Sequence, residues 1–165
     1  MTNADFLTKK DYFSEEVGKI PISEEEITEI CELENLCYAP GEEYDKDLVE
    51  SFISEKGAML IRAYHNLTLI GLQLSNVKKR ELITLDIHPE FRRKGLGKKL
   101  LNLTLSEFIK AGCKKVHCQI ALNNIPSLML HLKFGFKPLF IIPFYYPDGQ
   151  SAYWLEKKLT KNNSH

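Results

Sequence analysis

The residues with the clearest chemical potential form a short basic loop at positions 92–97, Arg-Arg-Lys-Gly-Leu-Gly. An apolar segment, 81–88, precedes this loop, and an amphipathic segment, 98–110, follows it. The pattern predicts a strand, a sharp loop and a helix N-terminus, where free main-chain N–H groups and the helix dipole favour an anion. Gly95 and Gly97 allow the anion to approach the main chain closely. The predicted ligand is therefore a pyrophosphate.

The two common phosphate-binding fingerprints do not fit this loop. A P-loop needs Gly-Lys followed by Ser or Thr, and the chain contains no such triplet. A dinucleotide fingerprint needs a third glycine where this chain has Leu100. Nucleic acid is a further alternative for a basic cluster, but the chain has no net positive charge.

The formal net charge of zero conceals a strong asymmetry along the chain. Residues 1–60 hold 16 of the 22 Asp and Glu residues but only 5 of the 22 Lys and Arg residues. A basic second part suits an anionic ligand, and an acidic first part suits a cationic one. The alternative is that the two parts are solvated faces of one fold, which attract each other.

The composition is that of a folded globular chain. It has 165 residues, 44% hydrophobic and 27% charged, and no apolar run long enough to predict a membrane-spanning helix. The N-terminal segment lacks the apolar core of a secretory signal, and the four cysteines include no Cys-x-x-Cys pair. We therefore expect a cytoplasmic protein with free thiols. One domain is expected over 1–165, with a core at about 17–160 and an extension at 1–15.

Hydrophobic periodicity predicts a mixed α/β order of elements. Ser23 and Glu26 form a capping box that begins a helix with the apolar stripe Ile27, Ile30 and Leu33. The expected strands are 17–20, 58–64, 67–74, 81–88, 115–122, 138–146 and 151–159, and the other expected helices are 47–55, 98–110 and 126–135.

These motifs resemble the GNAT N-acetyltransferase superfamily over about residues 17–160. Residues 92–97 fit every position of its acetyl-CoA loop, Gln/Arg-x-x-Gly-x-Gly/Ala. A second family block, Asn-x-x-Ala-x-x-Leu-Tyr-x-x-x-Gly-Phe, is matched in register by Asn124, Ser127, Leu130, Gly135 and Phe136. The resemblance implies a mixed, mostly antiparallel twisted sheet of about six to seven strands, flanked by about four helices and splayed between the fourth and fifth strands.

The resemblance also implies acetyl-CoA as cosubstrate, bound largely by main-chain groups, without a metal. Leu85 and Ile87 would pair with the pantetheine amides, an N–H near Ile87 would polarise the thioester oxygen, and Asn124 would bind the CoA arm. The implied cofactor-binding residues are Leu85, Asp86, Ile87, Arg92, Arg93, Lys94, Gly95, Leu96, Gly97, Lys98, Asn124 and Ser127.

Three residues are implied as catalytic candidates. Glu81 matches a glutamate that acts as base in one branch of the family, and an ordinary charge at a strand start is the alternative. His131 replaces the family tyrosine that protonates the CoA thiolate; it is a replacement acid, or the role is vacant and His131 packs. His117 lies two residues before Gln119, which matches a histidine used elsewhere in the family, and a structural histidine is the alternative.

The acceptor side has two further points of resemblance. Residues 144–153 resemble the tyrosine-rich block of the Rim-type and Ard-type protein N-terminal acetyltransferases, although Gln150 and Ser151 replace two acidic residues. Tyr38, Tyr145 and Tyr146 are the implied substrate-binding residues. Five acids would draw a cationic acceptor: Glu32, Glu34, Glu42, Glu43 and Asp45.

The resemblance implies transfer of acetyl to a primary amine by direct attack, most closely the N-terminal α-amine of a protein or peptide. A small-molecule amine, a polyamine or a lysine side chain is the first alternative. A non-catalytic acetyl-CoA-binding module is the second. No nucleic-acid or membrane partner is expected, and the oligomeric state is left open.

Overall fold

The computed structural model describes residues 13–17 and 22–160. The elements in chain order are β1 (Phe13–Val17), α1 (Glu24–Cys37), α2 (Lys46–Ser54), β2 (Ala58–His65), β3 (Thr68–Asn76), β4 (Glu81–Ile87), α3 (Leu96–Lys110), β5 (Lys115–Ala121), α4 (Ile125–Lys133), β6 (Lys137–Ile142) and β7 (Ala152–Lys158). These strands form a seven-stranded sheet in the order β1-β2-β3-β4-β5-β7-β6. A short 3₁₀ turn, Pro89–Phe91, joins β4 to the basic loop.

The predicted mixed, splayed sheet is confirmed. Neighbouring strands run antiparallel except β4 and β5, which are parallel. β4 and β5 pair only at their first residues, Glu81 with His117 and Leu82 with Cys118. Beyond these two pairs no register joins them in the described sheet, so the strands diverge toward their C-terminal ends.

Several predicted boundaries are wrong. β6 ends at Ile142 and not at residue 146, and α4 ends at Lys133 and not at residue 135. The first strand lies at Phe13–Val17, so residues 13–15 belong to the sheet and not to an extension; positions 18–20 of the predicted strand lie outside the described residues. This strand is defined by its pairing with β2, and the hydrophobic periodicity of the sequence does not reveal such pairing. α3 begins at Leu96 rather than at residue 98, because Gly95 adopts the left-handed conformation (φ 86°) that precedes the first turn.

The first face of the sheet carries α1 and α2. The capping box is confirmed, with Ser23 Oγ accepting from Glu26 N at 3.2 Å and Ser23 N donating to Glu26 Oε2 at 2.8 Å. The apolar stripes of α1 and α2 pack against alternate residues of the sheet. The helix residues are Ile30, Leu33, Val49 and Ile53, and the strand residues are Leu60, Leu72 and Leu74. Burial of this stripe fixes α1, and therefore everything attached to its C-terminal end, against β3 and β4.

The opposite face carries α3 and α4. Alternation along β2 and β3 turns Ile61 and Ile70 toward Leu96 and Leu100 of α3. Gly71 lies beneath the first turn of α3, where a Cβ would stand 3.0 Å from Leu96 Cδ2. Only glycine at this position allows α3 to begin so close to the sheet.

No helix in the described ranges is long and apolar enough to cross a membrane. Within the same residues no three His, Cys, Asp or Glu side chains are grouped so that they could hold a metal ion. The four cysteines, at positions 31, 37, 113 and 118, are unpaired thiols.

We expect Gly71→Ala to lower the free energy of unfolding by about 1–3 kcal/mol, because the added methyl group overpacks the contact with α3. Denaturant titration measures this change. Gly97→Ala is the matched control, since a Cβ there would lie 3.4 Å from Leu130 Cδ2, an ordinary contact, within a helix that favours alanine. Equal stability of the wild type and Gly71→Ala would contradict the close approach.

Candidate active site

The gap between β4 and β5 exposes a strand edge. His88 N donates to Ile70 O at 2.9 Å, beside the register pair of Gly71 and Ile87. Because hydrogen-bonding groups alternate along an antiparallel pair, the main-chain groups of Leu85 and Ile87 point away from β3 and into the gap. The gap therefore offers an extended ligand a strand to pair with.

The basic loop closes one end of this edge. Its left-handed residues are Arg93 (φ 61°) and Gly95 (φ 86°), and no side chain caps α3. The first intrahelical bond described runs from Lys99 N to Gly95 O at 3.1 Å, so the N–H groups of residues 96, 97 and 98 remain as anion donors. The side chains of Arg93, Lys94 and Lys98 are exposed around them.

Arg92 differs from its basic neighbours. Its Nε donates to Ile87 O at 3.0 Å and its Nη2 donates to Cys37 O at 3.3 Å. Cys37 Sγ donates to the same Ile87 carbonyl at 3.3 Å. The Arg92 side chain thus ties the loop to the end of β4 and to the end of α1. The Ile87 carbonyl is therefore occupied, and the Ile87 N–H is the main-chain group of this residue that is left to bind a ligand in the gap.

α4 meets the loop at the same point. A Cβ on Gly97 would lie 3.4 Å from Leu130 Cδ2 and 3.8 Å from Ile87 Cγ1, so α3, α4 and β4 converge there. Asn124 caps α4, its Oδ1 accepting from Ser127 N at 3.2 Å. The Asn124 side-chain amide nitrogen has no hydrogen-bond partner among residues 22–160, and it therefore remains as a donor beside the gap.

His131 lies within the protein, with 3% of its surface exposed. Its Nδ1 donates to Ser127 O at 2.8 Å, and its ring meets Phe136 edge-on at a centroid distance of 5.1 Å. Burial lowers the pKa of His131, although the Ser127 carbonyl opposes this shift. With its proton on Nδ1, the neutral ring presents only a lone pair at Nε2. The acid role remains a prediction, and this environment favours the packing alternative.

Glu81, His117 and Gln119 lie together on one face, where β4 and β5 still pair. Glu81 and His117 are register partners, and Gln119 lies two residues after His117 on the same face of β5. Burial raises the pKa of Glu81, while Lys79 and Gln119 oppose the shift. His117 stacks on Trp154 at a centroid distance of 4.2 Å, and burial lowers its pKa. Glu81 is thus a half-buried carboxylate of increased basicity, and His117 is a packed ring.

Two tyrosine-bearing segments bridge the gap on the face of α1. Tyr38, at the end of α1, donates its hydroxyl to Asp86 Oδ1 of β4 at 2.8 Å. Tyr146, in the loop between β6 and β7, donates its hydroxyl to Gln119 O of β5 at 3.4 Å. One segment is therefore anchored to each of the two diverging strands.

The same two segments also contact each other. Gln150 Nε2 donates to Glu42 Oε1 at 3.0 Å. The Tyr145 and Tyr146 rings meet edge-on at a centroid distance of 4.9 Å. Burial raises the pKa of Tyr44, and the Tyr146 and Tyr145 hydroxyls add to the shift. Tyr145 is 41% exposed, and the Glu81 carboxylate helps to raise its pKa. The arrangement places tyrosines and Glu81 around a bridged opening.

Three predicted site residues take unexpected positions. The Asp86 side chain is buried on the α1 face, and its main-chain groups point toward its register partner Leu72 in β3 rather than into the gap. The Tyr38 hydroxyl is already bonded to that carboxylate. Glu34, expected as a surface charge, is buried. The sequence held one signal for Glu34, since it directly follows Leu33 on the apolar face of α1. No sequence pattern indicated a position at the site for Tyr44.

Comparisons with known proteins agree with this geometry. The sequence model of the acetyltransferase (GNAT) family matches residues 27–136. Among curated proteins, an N-alpha-acetyltransferase of Sulfurisphaera tokodaii is 29% identical over 84 residues, which are 50% of each chain. N-alpha-acetyltransferase 30 of Dictyostelium discoideum is 26% identical over 107 residues, 61% of this chain and 58% of that protein. The matches thus span about half the length of these relatives.

Solved structures show the same fold at low identity. The ribosomal-protein-S18-alanine N-acetyltransferase of Escherichia coli superposes with a TM-score of 0.74 at 18% identity, over 93% of this chain and 97% of that chain. Ard1 of Thermoplasma volcanium superposes with a TM-score of 0.74 at 19% sequence identity, over 90% of this chain and 97% of that chain. A chain of the NatC complex bound to Gag peptide and CoA superposes with a TM-score of 0.72 at 18% sequence identity, over 91% of this chain and 100% of that chain.

We expect the imidazole of His131 to titrate below the usual histidine pKa of about 6.5, because burial disfavours its charged form. A lowered folded-state pKa means that the unfolded chain binds the proton more readily, so this residue removes stability as the pH falls below 6.5. NMR titration of the ring carbons measures the pKa directly. A pKa at or above the usual value would contradict the packing interpretation and support the acid role.

Proposed function

Because the chain belongs to the acetyltransferase (GNAT) family, we propose that it transfers acetyl from acetyl-CoA to the N-terminal α-amine of a protein or peptide. One observation carries the proposal. An unpaired edge of β4 runs from a basic helix N-terminus to an opening bridged by two tyrosine-bearing segments. An extended thioester can lie along the edge, and an amine can reach it through the opening.

The described residues fit acetyl-CoA along the gap. The main-chain groups of Leu85 and the N–H of Ile87 face the gap, where they would pair with amides of the pantetheine arm as a neighbouring strand would. The N–H groups of residues 96–98, with Arg93 and Lys94 around them, suit the pyrophosphate. Bound there, the CoA thioester supplies the activated acetyl group. A main-chain N–H that faces the gap, that of Leu85 or Ile87, is the donor that would polarise its carbonyl oxygen.

Glu81 is the proposed base. An amine arrives as an ammonium ion and has to lose a proton before it can attack a thioester. Burial makes the Glu81 carboxylate more basic, although Lys79 and Gln119 oppose part of the rise in its pKa. In this proposal Glu81 accepts the ammonium proton, directly or through water. The amine nitrogen then bonds to the acetyl carbon while the bond from that carbon to sulfur breaks, and the CoA thiolate leaves without an assigned acid.

The bridge over the opening favours a chain terminus as acceptor. The contact between Gln150 and Glu42 joins the two segments over the opening, an arrangement that suits an acceptor entering by one end. Exposed tyrosine rings such as Tyr145 offer apolar faces and hydroxyl groups to a peptide main chain. The names of the N-alpha-acetyltransferase relatives support the same acceptor.

A panel of acceptors tests the proposed substrate class. Acetyl-CoA should be consumed with peptides that carry a free N-terminus and a blocked lysine, and not with peptides that carry a blocked N-terminus and a free lysine. Polyamines form the third group. Turnover confined to polyamines or lysine would contradict the peptide terminus, and binding of acetyl-CoA without turnover in any group would identify a non-catalytic module.

We expect Gly97→Glu to abolish acetyl-CoA binding while the protein stays folded. The substitution places a carboxylate among the N–H groups proposed for phosphate, and its Cβ meets only ordinary contacts. Isothermal calorimetry measures binding, and circular dichroism verifies the fold. Gly97→Ala separates the charge from the bulk. Wild-type affinity in folded Gly97→Glu would place the pyrophosphate elsewhere.

We expect Glu81→Gln to lower kcat by about 10²-fold at neutral pH, the usual size of a general-base contribution. The loss should shrink as the pH rises, because the amine then deprotonates without help. The pH profile of kcat for both proteins is the measurement, and His117→Gln is the comparison on the neighbouring strand. A loss that does not vary with pH would assign Glu81 a structural role.

A further inference from the structure

Two carboxyl groups lie buried against each other beneath the acceptor side. Glu34 of α1 and Asp86 of β4 are each 1% exposed, and Tyr38 links them, since its N–H donates to Glu34 O at 3.1 Å and its hydroxyl bonds to the Asp86 carboxylate. Each carboxyl group also shifts the pKa of the other. Asp86 accepts from Tyr38 Oη at 2.8 Å and from Thr84 Oγ1 at 2.8 and 2.9 Å. Glu34 Oε2 accepts from Tyr44 N at 3.2 Å. The two acids thus connect α1, β4 and the segment after α1.

The hydrogen-bond donors and acceptors around Glu34 and Asp86 require one proton between the two carboxyl groups. If both groups are ionised, they only accept, and Glu34 Oε1 is a buried oxygen without a partner. Two carboxylates in contact do not both hold a charge in such a place. A proton on Glu34 Oε1, donated to Asp86, removes both the orphan oxygen and the repulsion.

The contacts also indicate which acid holds the charge. Asp86 receives two hydroxyl donors, and Arg92 adds a favourable charge nearby, whereas Glu34 receives a single main-chain N–H. Burial and the adjacent Asp86 raise the pKa of Glu34 to about 10. Burial raises the pKa of Asp86 too, but its donors oppose the shift. Other titratable groups that face the pair are the phenols of Tyr38 and Tyr44 and the Cys37 thiol.

We propose that Glu34 and Asp86 share one proton and act as positioning residues that hold Tyr38 and Tyr44 at the acceptor side of the site. The role in acceptor binding rests on the proposed function. Tyr38 is held through its hydroxyl and Tyr44 through its main-chain N–H. Since Glu42, the bridge partner of Gln150, lies between Tyr38 and Tyr44, the pair also supports the bridge over the opening.

Two substitutions separate proton sharing from simple packing. Glu34→Gln keeps the shape, a donor toward Asp86 and an acceptor for Tyr44 N. Glu34→Leu keeps similar volume but removes both. If Glu34 only fills space, Leu should be tolerated at least as well as Gln, as apolar replacements of buried ion pairs often are. If the proton is shared, Gln preserves the arrangement and Leu leaves a buried carboxylate without its donor.

Stability against pH tests the proton without any acceptor. A raised folded-state pKa means that the unfolded chain releases a proton that the folded protein keeps, so wild-type stability should fall from pH 6 to pH 9. The denaturant midpoint of Glu34→Gln should fall distinctly less over this range. Glu32→Gln, on the exposed side of α1, is the control and should follow the wild type. Parallel curves for the wild type and Glu34→Gln would overturn the shared proton.

Two further readouts test positioning. Hydrogen exchange at the Tyr44 amide should be faster in Glu34→Leu and unchanged in Glu34→Gln. With the best peptide acceptor, Glu34→Leu should raise the acceptor KM by about tenfold or more while acetyl-CoA affinity stays within about threefold, and Glu34→Gln should restore the KM. Unchanged exchange in folded Glu34→Leu would overturn positioning. Failure of every acceptor would reject the proposed function, while the exchange and pH curves would still decide the acid pair.

Discussion

The incomplete pairing of β4 with β5 is the constraint on which the site depends. The strands share two register pairs and then separate, which leaves the Leu85 and Ile87 main-chain groups without a strand partner on that side. In a fully paired sheet those groups would be satisfied internally, and no strand edge would remain for a ligand. The chain instead keeps an unpaired edge in the middle of its sheet and covers it from both faces with helices and loops.

On one face, close main-chain approach replaces side-chain chemistry. Glycine at position 71 lets α3 begin against β3, and glycine at position 97 lets the same helix start pass near Leu130 and Ile87. These contacts direct the free N–H groups of the first turn toward the end of the gap. The exposed basic residues add charge, whereas Arg92 is a brace between the loop, β4 and α1.

On the other face, hydrogen bonds of polar side chains hold the two segments in place. Tyr38 and Tyr146 attach one segment to each diverging strand, and the Gln150 contact with Glu42 joins the segments. Burying two acids beneath this bridge is unfavourable unless every donor and acceptor is matched. A shared proton meets that requirement.

The sequence alone determined the features that depend on neighbours along the chain. Periodicity and caps predicted α1, α2, the central strands and the basic loop, because helix starts and strand alternation are local properties. Only the tertiary structure decided the partners of side chains far apart in sequence. Tyr38 and Asp86 are 48 positions apart, and Glu42 and Gln150 are 108 apart. Burial of Glu34 and His131 belongs to the same class, since solvent access depends on which elements pack over a residue.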